Sequence, residues 1–141
     1  MILLDVNILI HAHLESSSSH KECLLFLRGL LQGSEIFGTT DAVFASFIRI
    51  STHPRLFHNP GRLDRALRFA ETLRNNEKFV SMKEGNRHWD VFVKLCRDIS
   101  AKSSDISDVY LASVAIESGC ELVTLDNGFR RFSGLKWRKP F

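Results

Sequence analysis

Three aspartates stand where an α/β protein gathers chemistry. Asp5 ends the apolar run Ile2 to Leu4, Asp126 ends the stretch ELVTL, and Asp108 lies at the start of the helical segment before that stretch. In parallel sheets, ligands bind beyond the carboxyl ends of the strands, where successive loops converge. Three acids far apart in sequence are therefore predicted to meet at one edge. Like charges within a few ångströms raise one another's pKa or recruit a cation. Oxygen ligands alone, with no Cys and no required His, suit a hard ion such as Mg²⁺ or Mn²⁺. A carboxylate-held ion of this kind activates water and stabilises charge on a phosphoryl oxygen.

Each acid also has a plainer reading. Asp108 suits the first turn of a helix, where the macrodipole favours negative charge, with Asp105 or Ser104 as cap. Asp126 opens Asp-Asn-Gly, a strong turn signal. Asp5 is harder to explain structurally, because an unpaired charge at the end of an apolar strand is costly to bury. Asn7 reads first as a helix cap and second as a residue that orients the carboxylates. Thr124 is read as a β-branched strand residue or as a support for the same acids. Glu117 is expected to face solvent or pack near Gly119. His11, His13 and His20 lack the spacing of four that a helical metal pair prefers, and are taken as surface residues.

The elements that must position these residues alternate. Ile2 to Leu4 is predicted as a first strand. Residues 20–32 place Cys23, Leu24, Phe26, Leu27, Leu30 and Leu31 at helical spacing, with Gly33 as a stop. Residues 42–51 follow the helical pattern Val43, Phe44, Phe47, Ile50, closed by Pro54. Residues 53–61 hold His-Pro, Asn-Pro and Gly, and read as an irregular loop. Residues 62–74 form a basic amphipathic helix with Leu63, Ala66, Leu67, Ala70 and Leu73 inward. Phe79 and Val80 suggest a short strand. Residues 86–98 form a helix burying Trp89, Phe92, Val93 and Cys96, and residues 106–118 a helix running to Gly119. ELVT at 121–124 is a strand, Asp-Asn-Gly a turn, and Leu135 to Trp137 a further strand. This βα alternation indicates an α/β sandwich on a mainly parallel sheet.

Composition excludes several classes. The 141 residues suit one domain, 1–141, and 44% hydrophobic with 25% charged residues is ordinary globular usage, not disorder. Apolar runs fall short of the ~20 residues a membrane span needs. The N-terminus carries Asp5 and lacks a leading basic region, so it reads as a strand and not as a signal peptide. Three widely spaced cysteines without a CxxC pair favour a reducing, cytoplasmic setting and argue against structural zinc. Net charge +3 tolerates a polyanion without demanding one. Most of the eleven Phe are expected in the core. A haloacid-dehalogenase phosphatase would need Asp-x-Asp where Asn7 stands. A response-regulator receiver would need an acidic pair after the first strand.

The segments MILLDVNILI, FIRISTHPRLF, NRHW, SDVYLASVAIESG and LVTLDNGFRRFSGLKW, in this order along nearly the whole chain, resemble PIN-domain proteins, and more narrowly the VapC-type toxins of bacterial toxin–antitoxin pairs. The resemblance implies a PIN-like three-layer sandwich and a Mg²⁺- or Mn²⁺-dependent ribonuclease. It also implies inhibition by a cognate antitoxin and, often, a homodimer. The family's strand-end acid matches Asp5, its late-helix acid Asp108, and its Thr-x-Asp acid Asp126 after Thr124. The family's remaining acid, usually Glu, falls at Ser46, three residues before Arg49. Asp41 lies five positions away, about 140° round a helix, and substitutes only if it is outside the helix. A further family acid is Gly128 here. These departures thin the negative charge and open a second reading, a catalytically weak or inactive module that binds RNA or protein. Arg49, Arg62, Arg65 and Arg68 are candidate contacts for RNA or antitoxin, although a solvated face also explains the last three. The apolar residues of segments 20–32 and 42–51 exceed what so small a domain hides, which favours a homodimer.

Overall fold

The computed structural model describes residues 1–54 and 62–141. The loop expected at 53–61 therefore lies mostly outside the described residues. Five strands form one sheet: β1 (Ile2–Leu4), β2 (Phe37–Thr40), β3 (Phe79–Met82), β4 (Glu121–Val123) and β5 (Trp137–Arg138). Every pairing is parallel, in the order β3-β2-β1-β4-β5. The helices are α1 (Val6–His13), α2 (His20–Gln32), α3 (Asp41–Ser51), α4 (Arg62–Arg74), α5 (His88–Asp98) and α6 (Ile106–Ser118).

This order sets the position of the site. The chain builds outward from β1 to β2 to β3, then crosses back to lay β4 on the other side of β1. Right-handed crossovers then place the two directions of travel on opposite faces of the sheet. The helices follow suit: α1 packs on α2 and α3, α3 on α4, and separately α5 on α6. The result is the expected three-layer α/β sandwich. The reversal lies between β1 and β4, and a crevice opens at their carboxyl ends. Leu4 pairs with Val123, so Asp5 and Thr124 emerge side by side.

The core is continuous from β1, whose three residues are all at most 1% exposed, to Phe37, Phe47, Leu95, Val109, Leu122 and Phe129. Among the described residues, five Phe are buried: Phe37, Phe44, Phe47, Phe129 and Phe132. Two elements are hidden in the sequence. β2 reads FGTT, with one large apolar residue, yet all four residues are buried. Gly38 is required there, because a Cβ would sit 2.1 Å from the carbonyl oxygen of Val80 on β3. Helix α1 begins directly after the first strand. Asp5 caps it, accepting from the Val6 N–H at 2.6 Å, and Ile8, Leu9 and Ala12 face inward. At its other end, α6 stops as expected at Gly119, in the left-handed region at φ 70°.

Several expected burials are corrected. On α4, Ala66, Ala70 and Leu73 are buried, but Leu63 and Leu67 are exposed at the helix edge. On α5 the inward stripe is His88 and Leu95, with Phe92, Val93 and Cys96 half-buried. Trp89 lies outside that stripe and is 68% exposed. His13 is half-buried, not a plain surface residue. Its ring meets Phe47 at 5.3 Å and Phe69 at 5.2 Å, both edge-on. His11 bonds Ser17 Oγ at 2.6 Å, and His20 Nδ1 lies 3.2 Å from the His11 carbonyl.

Burial, reinforced by the nearby Arg65 guanidinium and opposed by Glu15, lowers the pKa of His13. The unfolded chain therefore binds more protons than the folded one just below the ordinary histidine pKa. The stability contributed by neutral His13 is complete above that pKa and is lost as pH falls through the lower, folded value. Urea unfolding at pH 7.5 and 5.0 should show a smaller loss in His13→Phe than in wild type. Equal losses would remove His13 as the source.

Candidate active site

Asp5 is 6% exposed and is held on both oxygens. Oδ1 accepts from the Val6 N–H. Oδ2 accepts from Asn7 Nδ2 at 2.7 Å and from Thr124 Oγ1 at 2.6 Å. Asn7 also donates to Thr124 Oγ1 at 2.9 Å, and its Oδ1 accepts from the Leu125 N–H at 3.2 Å. Thr124 Oγ1 accepts in turn from the Asp126 N–H at 3.0 Å. Asn7 is thus not the expected cap. Asp5 takes that place, and Asn7, inside the first turn of α1, points across to β4. Thr124, fully buried, is a support for Asp5 and not merely a strand residue.

The three expected acids are electrostatically joined. Burial pushes the Asp5 carboxyl up to about 6, against its hydrogen bonds to Thr124 and Val6. The charges of Asp108 and Asp126 push in the same direction. A rise of that size corresponds to about 3 kcal/mol against the ionised form. Asp108 is raised by burial as well, with Arg131 opposing.

In donor type and charge this set fits a hard divalent cation. Its side chains are turned elsewhere, however: among the described residues, no three His, Cys, Asp or Glu groups converge as ligands. Asp108 Oδ2 takes the Arg131 guanidinium at 3.1 Å, and Asp105 Oδ1 takes its other nitrogen at 2.8 Å. Asp126 Oδ1 folds back on its own turn to accept from the Gly128 N–H at 2.7 Å. A Cβ on residue 128 would lie 3.0 Å from that oxygen, so glycine gives the carboxylate room.

A cavity of about 420 Å³ adjoins these acids. Asp5, Asp108 and Ser46 line it together with Phe92, Ile106 and Tyr110. Ser46 of α3 therefore faces the same space as two of the acids. Asp41 does not substitute for a carboxylate there: it is the first residue of α3, capped by Thr40, and pairs with Arg74 at 2.5 Å. Asp105 holds the capping position of α6 without a capping bond from its side chain. Glu117 accepts from the N–H groups of Gly85 and Arg87, tying the loop before α5 to α6.

The arginines do not assemble as one stripe. Arg65 pairs with Glu15 at 2.5 Å. Arg65 and Arg68 line a separate hollow with His13 and His20, and Arg62 donates to the His53 carbonyl at 3.3 Å. Arg49 is exposed on α3. Two site residues escape the sequence reading. Arg131 was hidden in FRRF, where its position after the Asp-Asn-Gly turn was the available signal. Tyr110, two residues beyond Asp108 on α6, lines the same cavity, and its hydroxyl donates to Glu84.

The PIN domain family matches residues 2–135. Ribonuclease VapC43 of Mycobacterium tuberculosis is 34% identical over 140 residues, covering 99% of this chain and 95% of the relative. Ribonuclease VapC25 of the same organism is 31% identical, with 99% of both chains covered. The VapBC2 complex of Rickettsia felis, solved with a promoter DNA fragment, shares the fold. Its TM-score is 0.69 at 16% identity, covering 99% of this chain and 98% of that one. The chain belongs to the PIN-domain family, in its VapC branch.

Thr124 serves three polar partners from a fully buried position. Thr124→Val keeps the shape but leaves Asp5 Oδ2, Asn7 and the Asp126 N–H each short of a partner. Hydrogen bonds to charged groups are worth about 1.5–3 kcal/mol, and urea unfolding at pH 7.5 should show a loss of that order. A variant as stable as wild type would mean that Asp5 does not depend on Thr124.

Proposed function

We propose that the protein is a metal-dependent endoribonuclease toxin, held in check by a cognate antitoxin. One observation carries this: Asp5 is buried at the reversal point of the sheet, its carboxyl raised to about 6 by burial and the neighbouring acids. The names of the relatives, VapC ribonucleases, give the reaction class. The VapBC complexes among the structures of like fold give the kind of partner.

Asp5, Asp108 and Asp126 would hold Mg²⁺ or Mn²⁺. Such an ion, when bound, polarises a phosphoryl oxygen and makes water a better nucleophile. The chain's own share is orientation and charge. Asn7 and Thr124 fix the Asp5 carboxylate, and donor bonds on both its oxygens keep the ionised form accessible despite burial. The Thr124 hydroxyl also sets the backbone at Asp126. Arg131 engages one oxygen of Asp108, Oδ2, and would compete with an ion for that oxygen. Arg49, Arg62, Arg65 and Arg68 supply positive charge for RNA phosphates or for the antitoxin. For a homodimer, segment 20–32 offers exposed Leu25, whereas segment 42–51 buries Val43, Phe44 and Phe47 and exposes no large apolar residue. A cytoplasmic location belongs to the same proposal; no described helix is long and apolar enough to cross a membrane.

The second reading, a weak or inactive binding module, draws on Ser46 and on the lack of three converged ligands among the described residues. Antitoxin-free protein should cleave single-stranded RNA, with higher activity in Mn²⁺ than in Mg²⁺, because Mn²⁺ tolerates a poorer ligand set. Asp5→Asn should remove most of that cleavage while the circular dichroism spectrum is kept. Wild-type turnover in this variant would sink the assignment, and no cleavage by wild type in either ion would favour the binding module. Ser46→Glu should tighten Mg²⁺ binding in isothermal titration. Unchanged or weaker affinity in the folded variant would show that a carboxylate at residue 46 does not reach the ion.

A further inference from the structure

We propose that Trp89 and Phe92 form a stacking shelf for an unpaired base of the RNA strand, beside the cavity that takes its phosphate. The proposal rests on the ribonuclease reading and names how the substrate is gripped. Phe92 lines the cavity shared by Asp5 and Asp108. Trp89, one turn earlier on α5, lies against Phe92 with ring centroids 5.5 Å apart and planes 17° from parallel. On its own side, Trp89 forms one wall of a second hollow, about 320 Å³, lined also by Val93, Lys94 and Arg97. The two rings thus make a continuous aromatic path from the acids to the surface.

The shelf is rigid beneath and open above. His88 stacks on Phe92 at 6.0 Å and 28°, and its Nε2 lies 2.9 Å from the buried Ser113 Oγ of α6. A stacked pair anchored in this way loses little freedom when a third ring is added. Trp89 itself is 68% exposed, although a large aromatic on an amphipathic helix ordinarily turns inward.

The surroundings select the occupant. Around Trp89 the hollow is charged, with Asp90, Lys94, Arg97 and Asp98, and Val93 is its one other apolar residue among those described. A protein helix docking there would bury those charges for a single aromatic contact. A nucleobase presents a flat π face to the indole, and a flanking phosphate, distinct from the one at the acids, stays in water near Arg97. Lys94 is engaged by Asp98 at 2.5 Å, so Arg97 is the better phosphate contact. Stacking is tolerant of base identity, because every base has a π face.

Two measurements on short single-stranded oligoribonucleotides test the shelf. In steady-state cleavage, Trp89→Ala should raise KM about 10-fold with kcat held within about twofold, and Trp89→Phe should stay near wild type. In the Trp137→Phe protein, with metal chelated to prevent cutting, Trp89 is the sole indole. Its fluorescence should be quenched by an oligoribonucleotide and not by an abasic strand of equal length. An active enzyme whose KM ignores Trp89→Ala, or quenching equal for both strands, would overturn the shelf. So would a dimer that Trp89→Ala splits without change in RNA affinity, which would give this face to a second copy of the chain. Absence of cleavage by wild type would count against the ribonuclease reading alone, since base-dependent quenching would still place a base on Trp89.

Discussion

The structure turns on a carboxylate kept where solvent scarcely reaches. Asp5 sits at the end of a strand that is itself buried; the net penalty on its charge is about 3 kcal/mol, and burial taken alone costs more. Three donors offset part of that cost: the Val6 amide at the head of α1, the Asn7 amide and the Thr124 hydroxyl. Each donor is supplied by a different structural device. The first comes from the start of a helix, the second from its first turn, and the third from the neighbouring strand. The helix start, the β1–β4 register and the polar network therefore depend on one side chain.

The neighbouring acids obey the same constraint differently. Asp108 is half-buried near two other carboxylates and finds its counter-charge in Arg131. Asp126 spends an oxygen on the turn that Gly128 permits. The cluster is thus held piecemeal by local partners, neutral donors on Asp5 and Asp126 and a counter-charge on Asp108. A cation entering the cluster would compete with those partners, and the carboxylate lost at Ser46 removes some of its advantage. Charge count and ligand geometry are separable here: the first favours a divalent ion, whereas Arg131 and the Asp126 turn each hold one of the oxygens such an ion would use.

Much of this was legible in the sequence. The helices at 20–32 and 106–118 follow from apolar spacing and a glycine stop, the helix at 62–74 from apolar spacing alone, and their bounds match. The parallel sheet follows from the alternation of strands and helices, and the three acids from a strand end (Asp5), a helix start (Asp108) and the turn after β4 (Asp126). What was hidden has physical reasons. β2 lacks large apolar residues because Gly38 must admit the Val80 carbonyl, so its burial leaves no hydrophobic signature. Helix α1 continues the apolar run of β1, and hydrophobicity alone does not mark the change from strand to helix at Asp5. Asn7 suits a cap by residue type, yet an aspartate two residues earlier holds the place. Trp89 was expected inside because aromatic residues usually are, and only the rotation of α5 about His88 and Leu95 shows otherwise. Arg131 belongs to Asp108 through a contact across 23 residues, which no local pattern announces.

The pairing of Asp5 with Thr124 spans 119 residues. A chain under synthesis makes Asp5 well before Thr124, which arrives only after β4. Until then β1 lacks its neighbour at the reversal point, and the Asp5 carboxylate has only its helix-start amide and Asn7 for company. The first and last βα units must close on each other before any site exists. A chain ending before β4 lacks Thr124, Asp126 and Arg131, so the site is assembled only when the sheet is closed.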